Sequence, residues 1–341
     1  MKSYLVLLLA LAFVIISCNP DTGSEKVILK GEAFGTTYAI TTFGPKRQTP
    51  ALQKGIDSII NVVNQSMSTY IPQSDISRIN KGDTTVVVDA MFKEVFALSR
   101  NIYQKTDRYF DPTVGGLRNA YGFGDTKPLK QIDSSTLDSM MQFVGLDKVS
   151  ITDGGRVKKD RPAIYLDFNA IAKGYGIDRI AVYLQQQERS NFLIELGGEL
   201  RGLGMNIETQ KPWSVGVEDI NSNITNRSHV AVVALNDKAM ASSGNYRKNR
   251  VDQRTGKQYV HTINPITGAA QQSDVLSATV IANTCATADA YATSFMAMGL
   301  DKSKALLSNL EDVEAYLIYS VAVDSTSVYK TPGFAKLQLR C

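Results

Sequence analysis

Two oxygen-bearing side chains stand out in an otherwise apolar run, TCATADAYATSFMAMG at residues 284–299. Asp289 and Thr293 are four positions apart, which puts them one turn apart on the same face of a helix. Their neighbours Ala286, Ala288, Ala290 and Ala292 are too small to crowd that face. An Asp in such surroundings is at least partly buried, and a buried carboxylate needs a partner or a metal. Two hard oxygen donors at this spacing suit a cation such as Mg²⁺. The alternative is a buried Asp hydrogen-bonded to Thr or to a backbone amide. Phe295, Met296 and Met298 read as packing, and Gly299 as a helix stop signal.

Proton chemistry near neutral pH has few candidates, because the chain holds two histidines, His229 and His261. His229 lies in a polar stretch without neighbours of interest. His261 opens HTINPITG, a loop that a strand leads into, where it is either a proton acceptor or a structural His bonding the turn backbone. A third candidate region is LDFNAIAKGYG, residues 166–176. A strand at 163–168, a turn of small residues and a helix present amides and Lys173 to an anion. The pattern is neither G-x-G-x-x-G nor a Walker A, which weakens the standard dinucleotide and P-loop readings. No G-x-S-x-G elbow occurs, and Ser242-Ser243-Gly244 is not one, so a Ser–His–Asp hydrolase is disfavoured. Asp111, Asp167 and Asp289 all lie near loops, which leaves a paired-carboxylate site open without fixing its spacing.

Helical spacing of apolar residues marks amphipathic helices at 51–65 and 89–106 and a third ending near Gln187. Between the first two, MSTYIPQSDISRIN (67–80) is extended as far as Pro72, and Ser74 with Ser77 caps a short helix. Tyr70 there is available to stack on a ring. Residues 107–116, DRYFDPTVGG, read as a loop with the composition of a ligand contact. Alternation marks strands at 27–43, interrupted by Gly35-Thr36-Thr37 as a bulge, a hairpin kink or a close ligand approach. It marks a strand, Gly-Gly kink and strand at 192–204, strands at 213–218 and 230–235 that extend the same sheet, and one at 275–282. ASSGN (241–245) reads as a turn, 118–160 as peripheral, and 306–310 and 315–323 as a closing helix and strand. Strands and helices interleave without regular βαβ spacing, so the fold class is α+β, mixed or antiparallel sheets with packed helices in a single compact unit with two lobes.

At 341 residues the chain is long enough for one large domain or two. The net charge of +4 falls to +3 once residues 1–17, whose one charge is Lys2, are set aside. That mild, evenly spread charge gives no electrostatic footprint for nucleic acid. A basic start, an apolar core at 4–16 and Ile15-Ile16-Ser17-Cys18 read as an export signal, 1–17, with a lipobox-like ending. Cys18 is then the lipidated first residue of the mature chain and 18–26 a flexible tether to the domain at 27–341. With Cys18 acylated, only Cys285 and Cys341 are left to pair, so the chain is neither a disulfide scaffold nor a zinc site. Asn19 lacks the Asp that resembles an inner-membrane retention signal.

Taken in order, FGT at 34–36, MSTYIPQSDISRIN, YFDPTVGGL, LDFNAIAKGYGIDRI, ELGGELRGLG, WSVGVE, SSGNY, HTINPITG and ATADAYATSFMAMG resemble the FAD:protein FMN transferases, the ApbE-like flavin transferases. The resemblance covers nearly all of the mature chain. It implies Mg²⁺ held by Asp289, Thr293 and the backbone carbonyl of Ala170. It implies FAD held by Phe34, Tyr70, Tyr109, Phe110, Asp111, Asp167, Lys173 and Ile263, with His261 in catalysis. Asn169 departs from the small Gly or Ser of many relatives. The implied reaction is transfer of FMN from FAD to a Thr or Ser hydroxyl of an acceptor protein, with AMP released. The implied acceptors are subunits of membrane redox complexes, which suits an enzyme lipid-anchored in a bacterial envelope and facing the periplasm. FAD pyrophosphatase activity and non-catalytic flavin binding are the competing functions.

Overall fold

The computed structural model describes residues 25–222, 228–245, 249–251, 256, 258–322 and 325–339. Its centre is an eight-stranded sheet whose strands lie side by side in chain order. They are β1 (Glu25–Ala33), β2 (Thr36–Gly44), β3 (Phe192–Leu196), β4 (Glu199–Leu203), β5 (Ala239–Gly244), β6 (Val275–Ala282), β7 (Glu314–Ala322) and β8 (Ser325–Lys330). Every neighbouring pair is antiparallel, as the α+β reading requires. Two hairpins close with two-residue loops: Ala33 pairs with Thr36 and Leu196 with Glu199. Both loop residues take positive φ in each, Phe34 and Gly35 at 52° and 77°, Gly197 and Gly198 at 60° and 102°. Such turns match the twist of the flanking strands. The Gly35 interruption is therefore a hairpin turn, and Phe34 occupies a conformation that bulky residues rarely adopt.

Along β7, Ala315 and Leu317 pack to one side of the sheet, Tyr316 and Ile318 to the other. The first side is covered by helices α1 (Thr49–Met67), α2 (Ala90–Lys105), α3 (Ala172–Gln186), α4 (Cys285–Met298) and α5 (Leu300–Leu307). Local signals explain their ends. Asp89 caps α2 through the Phe92 amide, Thr284 caps α4 through the Thr287 amide, and Gly299 ends α4 at a φ of 78°. Ser74 caps the short helix Asp75–Asn80, its hydroxyl accepting the Ser77 amide.

Several expectations need correction. Lys211–Glu218 and His229–Leu235 belong to a separate small sheet, which stacks Trp213, Val215 and Val217 on Met240 and Ile281. Alternation shows that one face of a strand is buried, not which sheet the strand joins. Residues 241–245 are not a turn: most of them belong to β5, where Ser242 and Ser243 pair with Thr279 and Ala278. Small residues serve here because the Ala-rich α4 lies directly over the strand. Residues 163–168 form no strand beyond one bridge between Tyr165 and Val114. The Asn80 side chain takes both the amide and the carbonyl of Leu166, each at 2.8 Å, in place of a ladder. Gly115 and Gly116 begin a helix, Gly115–Tyr121, instead of finishing a loop. Residues 118–160 are only partly peripheral, since Tyr121, Val144, Leu146 and Val149 are buried. The helix expected at 306–310 runs from Leu300 to Leu307.

Among the described residues, no helix is long and apolar enough to cross a membrane. Cys18 and Cys341 lie outside the described residues; Cys285 is buried.

Candidate active site

Asp167, Ala170 and Lys173 are gathered by one tight turn. The Asp167 carboxylate accepts the Asn169 amide at 2.7 Å, and Phe168 O accepts the Ala172 amide at 2.7 Å, which starts α3. The Asn169 side chain is exposed and only its backbone is used, so a larger residue is tolerated there. Gly174 then meets α4 backbone to backbone: a Cβ on it would lie 2.5 Å from Cys285 O. That approach lets the Gly174 amide donate to Asp289 Oδ2 at 3.2 Å. The hydrogen-bonded reading of Asp289 is thus realised, through an amide of α3 and not through Thr293.

The surroundings of Asp289 go further than one hydrogen bond. Lys173 Nζ lies 2.6 Å from Glu199 Oε2 on β4, and Glu199 and Asp289 are both buried. Burial pushes Glu199 up to about 8, against the pull of Lys173 and with Asp289 adding to the rise. Burial also raises Asp289, opposed by Lys173 and by the Gly174 amide. For Lys173, burial alone would lower the pKa, but Glu199 and then Asp289 outweigh it and keep the ammonium charged. Two buried carboxylates thus face one ammonium. Asp289 and the Thr293 hydroxyl, one turn apart on α4, are hard oxygen donors of the kind that a divalent cation such as Mg²⁺ takes.

The end of β5 ties this cluster to His261. Thr293 Oγ1 is 3.3 Å from Ser243 Oγ, and two residues on, Asn245 Oδ1 accepts from Thr262 Oγ1 at 3.0 Å. His261 is therefore anchored beside α4, with its ring edge-on to Phe123 at 6.5 Å between centroids. Asn264 Nδ2 donates to Ala297 O at 3.4 Å and pins the far end of the loop to the same helix.

Aromatic groups flank the turn. The Phe34 ring lies against Gly176, where a Cβ would be 2.6 Å from it. Tyr70 is 57% exposed, a ring open to a partner, and its hydroxyl accepts from Arg118 Nη2 at 2.8 Å. Arg118 Nη1 in turn donates to Asp167 Oδ2 at 2.6 Å. The 109–112 loop runs alongside, with Pro112 O accepting the Asp167 amide at 2.7 Å. Tyr109 is partly exposed, 5.9 Å from Lys302 Nζ. Phe110 and Ile263 are buried in core clusters, so contact with a ligand would go through their main chain. Asp111 is turned inward, accepting from the amide and hydroxyl of Thr113 at 2.8 and 2.6 Å. Burial pushes it up to about 6, opposed by those bonds. A carboxylate so engaged is poorly placed as a base.

Glu199, Arg118 and Asn245 belong to the candidate site and were passed over by sequence reasoning. Glu199 had a signal, a charge directly after Gly-Gly in a buried strand pair. Arg118 had none, since a lone cation in GGLRNAY reads as a solvated face.

Known proteins resemble this chain in sequence and fold. The ApbE family model matches residues 34–317. A protein of Haemophilus influenzae named FAD:protein FMN transferase is 34% identical, over 97% of this chain and 96% of its own. One of the same name from Vibrio cholerae is also 34% identical, over 90% of each. The solved flavin transferase ApbE of Vibrio cholerae superposes with a TM-score of 0.81 at 30% identity, covering 92% of this chain and 99% of that one. With the family model spanning most of the length and relatives aligned nearly end to end, the chain belongs to the ApbE family.

Proposed function

We propose that the chain transfers the FMN moiety of FAD to a Thr or Ser hydroxyl of an acceptor protein and releases AMP. The observation that carries this reading is the Lys173–Glu199–Asp289 cluster, with both carboxyl groups buried, beside Thr293 and the amides opening α3. FAD carries a pyrophosphate, and a charged Lys at a helix start is suited to it. Asp289, Thr293 and the Ala170 carbonyl would hold Mg²⁺, which supplies charge neutralisation for phosphate oxygens and the departing AMP. His261 accepts the proton of the acceptor hydroxyl. Its oxygen bonds to the FMN phosphorus as the phosphorus–oxygen bond to AMP breaks. Tyr70, held by Arg118, offers a ring face for stacking. Cys18 would tether the domain to the bacterial envelope on its periplasmic side, within reach of a membrane redox subunit as acceptor.

The test is incubation with FAD and Mg²⁺, with and without an acceptor protein. Flavin covalently bound to the acceptor together with released AMP is the expected result. Free FMN in equal yield with and without acceptor would make the protein a pyrophosphatase, and intact FAD throughout would make it a binding protein.

A further inference from the structure

Helices α3 and α4 exchange carboxylates. Asp289 of α4 accepts the Gly174 amide in the first turn of α3. Asp178 of α3 accepts the Cys285 and Ala286 amides in the first turn of α4, each at 2.9 Å. Asp178 is four residues after Gly174, and Asp289 four after Cys285, so the two contacts stack one turn apart. The first amides of α4 are thereby all engaged. Asp178 takes two, the Thr284 hydroxyl takes that of Thr287 at 3.2 Å, and Thr284 O takes that of Ala288 at 3.1 Å. Arg201 on β4 steadies the arrangement, with Nη1 3.5 Å from Asp178 Oδ1 and bonded to Asn283 O. Glu199, two residues before Arg201 on the same strand, grips Lys173 in the same helix. One strand therefore holds α3 by two ion pairs of opposite sense.

We propose that Asp178 is a positioning residue for the transfer site: by clasping the start of α4 it sets where Asp289 and Thr293 stand against the α3 turn. Asp178 itself touches neither metal nor substrate. The inference rests on the Mg²⁺ reading of Asp289 and Thr293. Asp178→Asn keeps the shape but can accept only one of the two amides, and its NH₂ faces the other. α4 is then free to shift relative to Gly174.

Mg²⁺ titration by calorimetry of the purified full-length protein tests this. Asp178→Asn should weaken Mg²⁺ binding about tenfold or more, as loss of a support behind a metal ligand does. Asp178→Glu, which keeps both acceptor oxygens, should recover part of it. Leu184→Ala, a core truncation in the same helix, serves as the stability control: it should lower the melting temperature and leave Mg²⁺ affinity alone. If Asp178→Asn does not fold, Arg201→Gln carries the same expectation at smaller size. Wild-type affinity in the Asp178 and Arg201 variants, or equal weakening in the Leu184 control, would overturn the positioning role. Absence of Mg²⁺ binding by the unaltered protein would instead overturn the metal reading, and this inference with it.

Discussion

The two walls of the site are built to different tolerances. On one, Lys173, Glu199 and Asp289 are carried by α3, β4 and α4, the two carboxyl groups buried and each side chain engaged by a neighbour within 3.2 Å. On the other, Tyr70, Tyr109 and His261 sit on loops and keep part of their surface exposed. The helical wall cannot shift without exposing an unpaired buried charge, which is strongly unfavourable. The loop wall is tied down at a few points, Arg118 to Tyr70 and Asn245 to Thr262. Charge on a phosphate needs fixed dipoles, whereas a flat ring and a protein acceptor need adaptable surface.

Asp289→Ala attacks the rigid wall and carries the largest expected effect. It should abolish Mg²⁺-dependent flavin transfer and Mg²⁺ binding together; retained transfer would remove Asp289 from the metal site. His261→Gln comes next, with an expected fall in kcat of roughly 10²–10⁴, typical of losing a general base, and little change in FAD affinity. A comparable rise in KM for FAD with kcat preserved would make His261 a binding residue. Tyr70→Ala probes the loop wall. It should raise KM for FAD about three- to tenfold, the worth of one aromatic contact, and change stability by less than about 0.5 kcal/mol. A large loss of stability would show the loop wall to be as rigid as the helical one.

A further effect is one of pH. Asp111 and Asp178 are each pushed up to about 6 from 3.8 by burial. A carboxyl with a raised folded pKa contributes stability that is whole below the unfolded value and lost as pH rises through the folded one. Stability of the unliganded protein should therefore decline between about pH 4 and pH 6 on this account. Asp111→Asn removes one titrating group and should shrink the difference between pH 4 and pH 7 by on the order of 1–3 kcal/mol. Urea midpoints at the two pH values give the comparison, and an unchanged difference would mean that Asp111 is not perturbed in the fold.

Legibility in the sequence divides along the same line. α4 could be read to its ends, because an N-cap Thr, an apolar run and a stop Gly are local signals. The two strands around Gly197-Gly198 were equally plain, although the break between them is a hairpin turn and not a kink. β5 was not, since Ser-Ser-Gly-Asn is turn chemistry until a helix packed over it makes small residues necessary. The extended piece at 163–168 has the apolar content of a strand but gets its hydrogen bonds from Asn80, a long-range partner that periodicity cannot indicate. At the site, motif order pointed to Asp289, Lys173 and His261, while Arg118 and Asp178 act through contacts with distant segments. Phe110 and Ile263 illustrate the converse, positions that match a binding motif while their side chains serve the core.

The order of strands in the sheet has a kinetic consequence. β1 with β2, β3 with β4 and β7 with β8 are local hairpins, but β2 pairs with β3 across everything between residues 45 and 191. Closing so long an excursion adds little to the equilibrium cost, since loop entropy grows only logarithmically with length. It does slow the search, because non-local pairings form late. The N-terminal hairpin, with Phe34 at its tip, should thus dock last during refolding, and the start of α3 that Phe34 packs against should be among the last parts of the molecule to gain protection from hydrogen exchange.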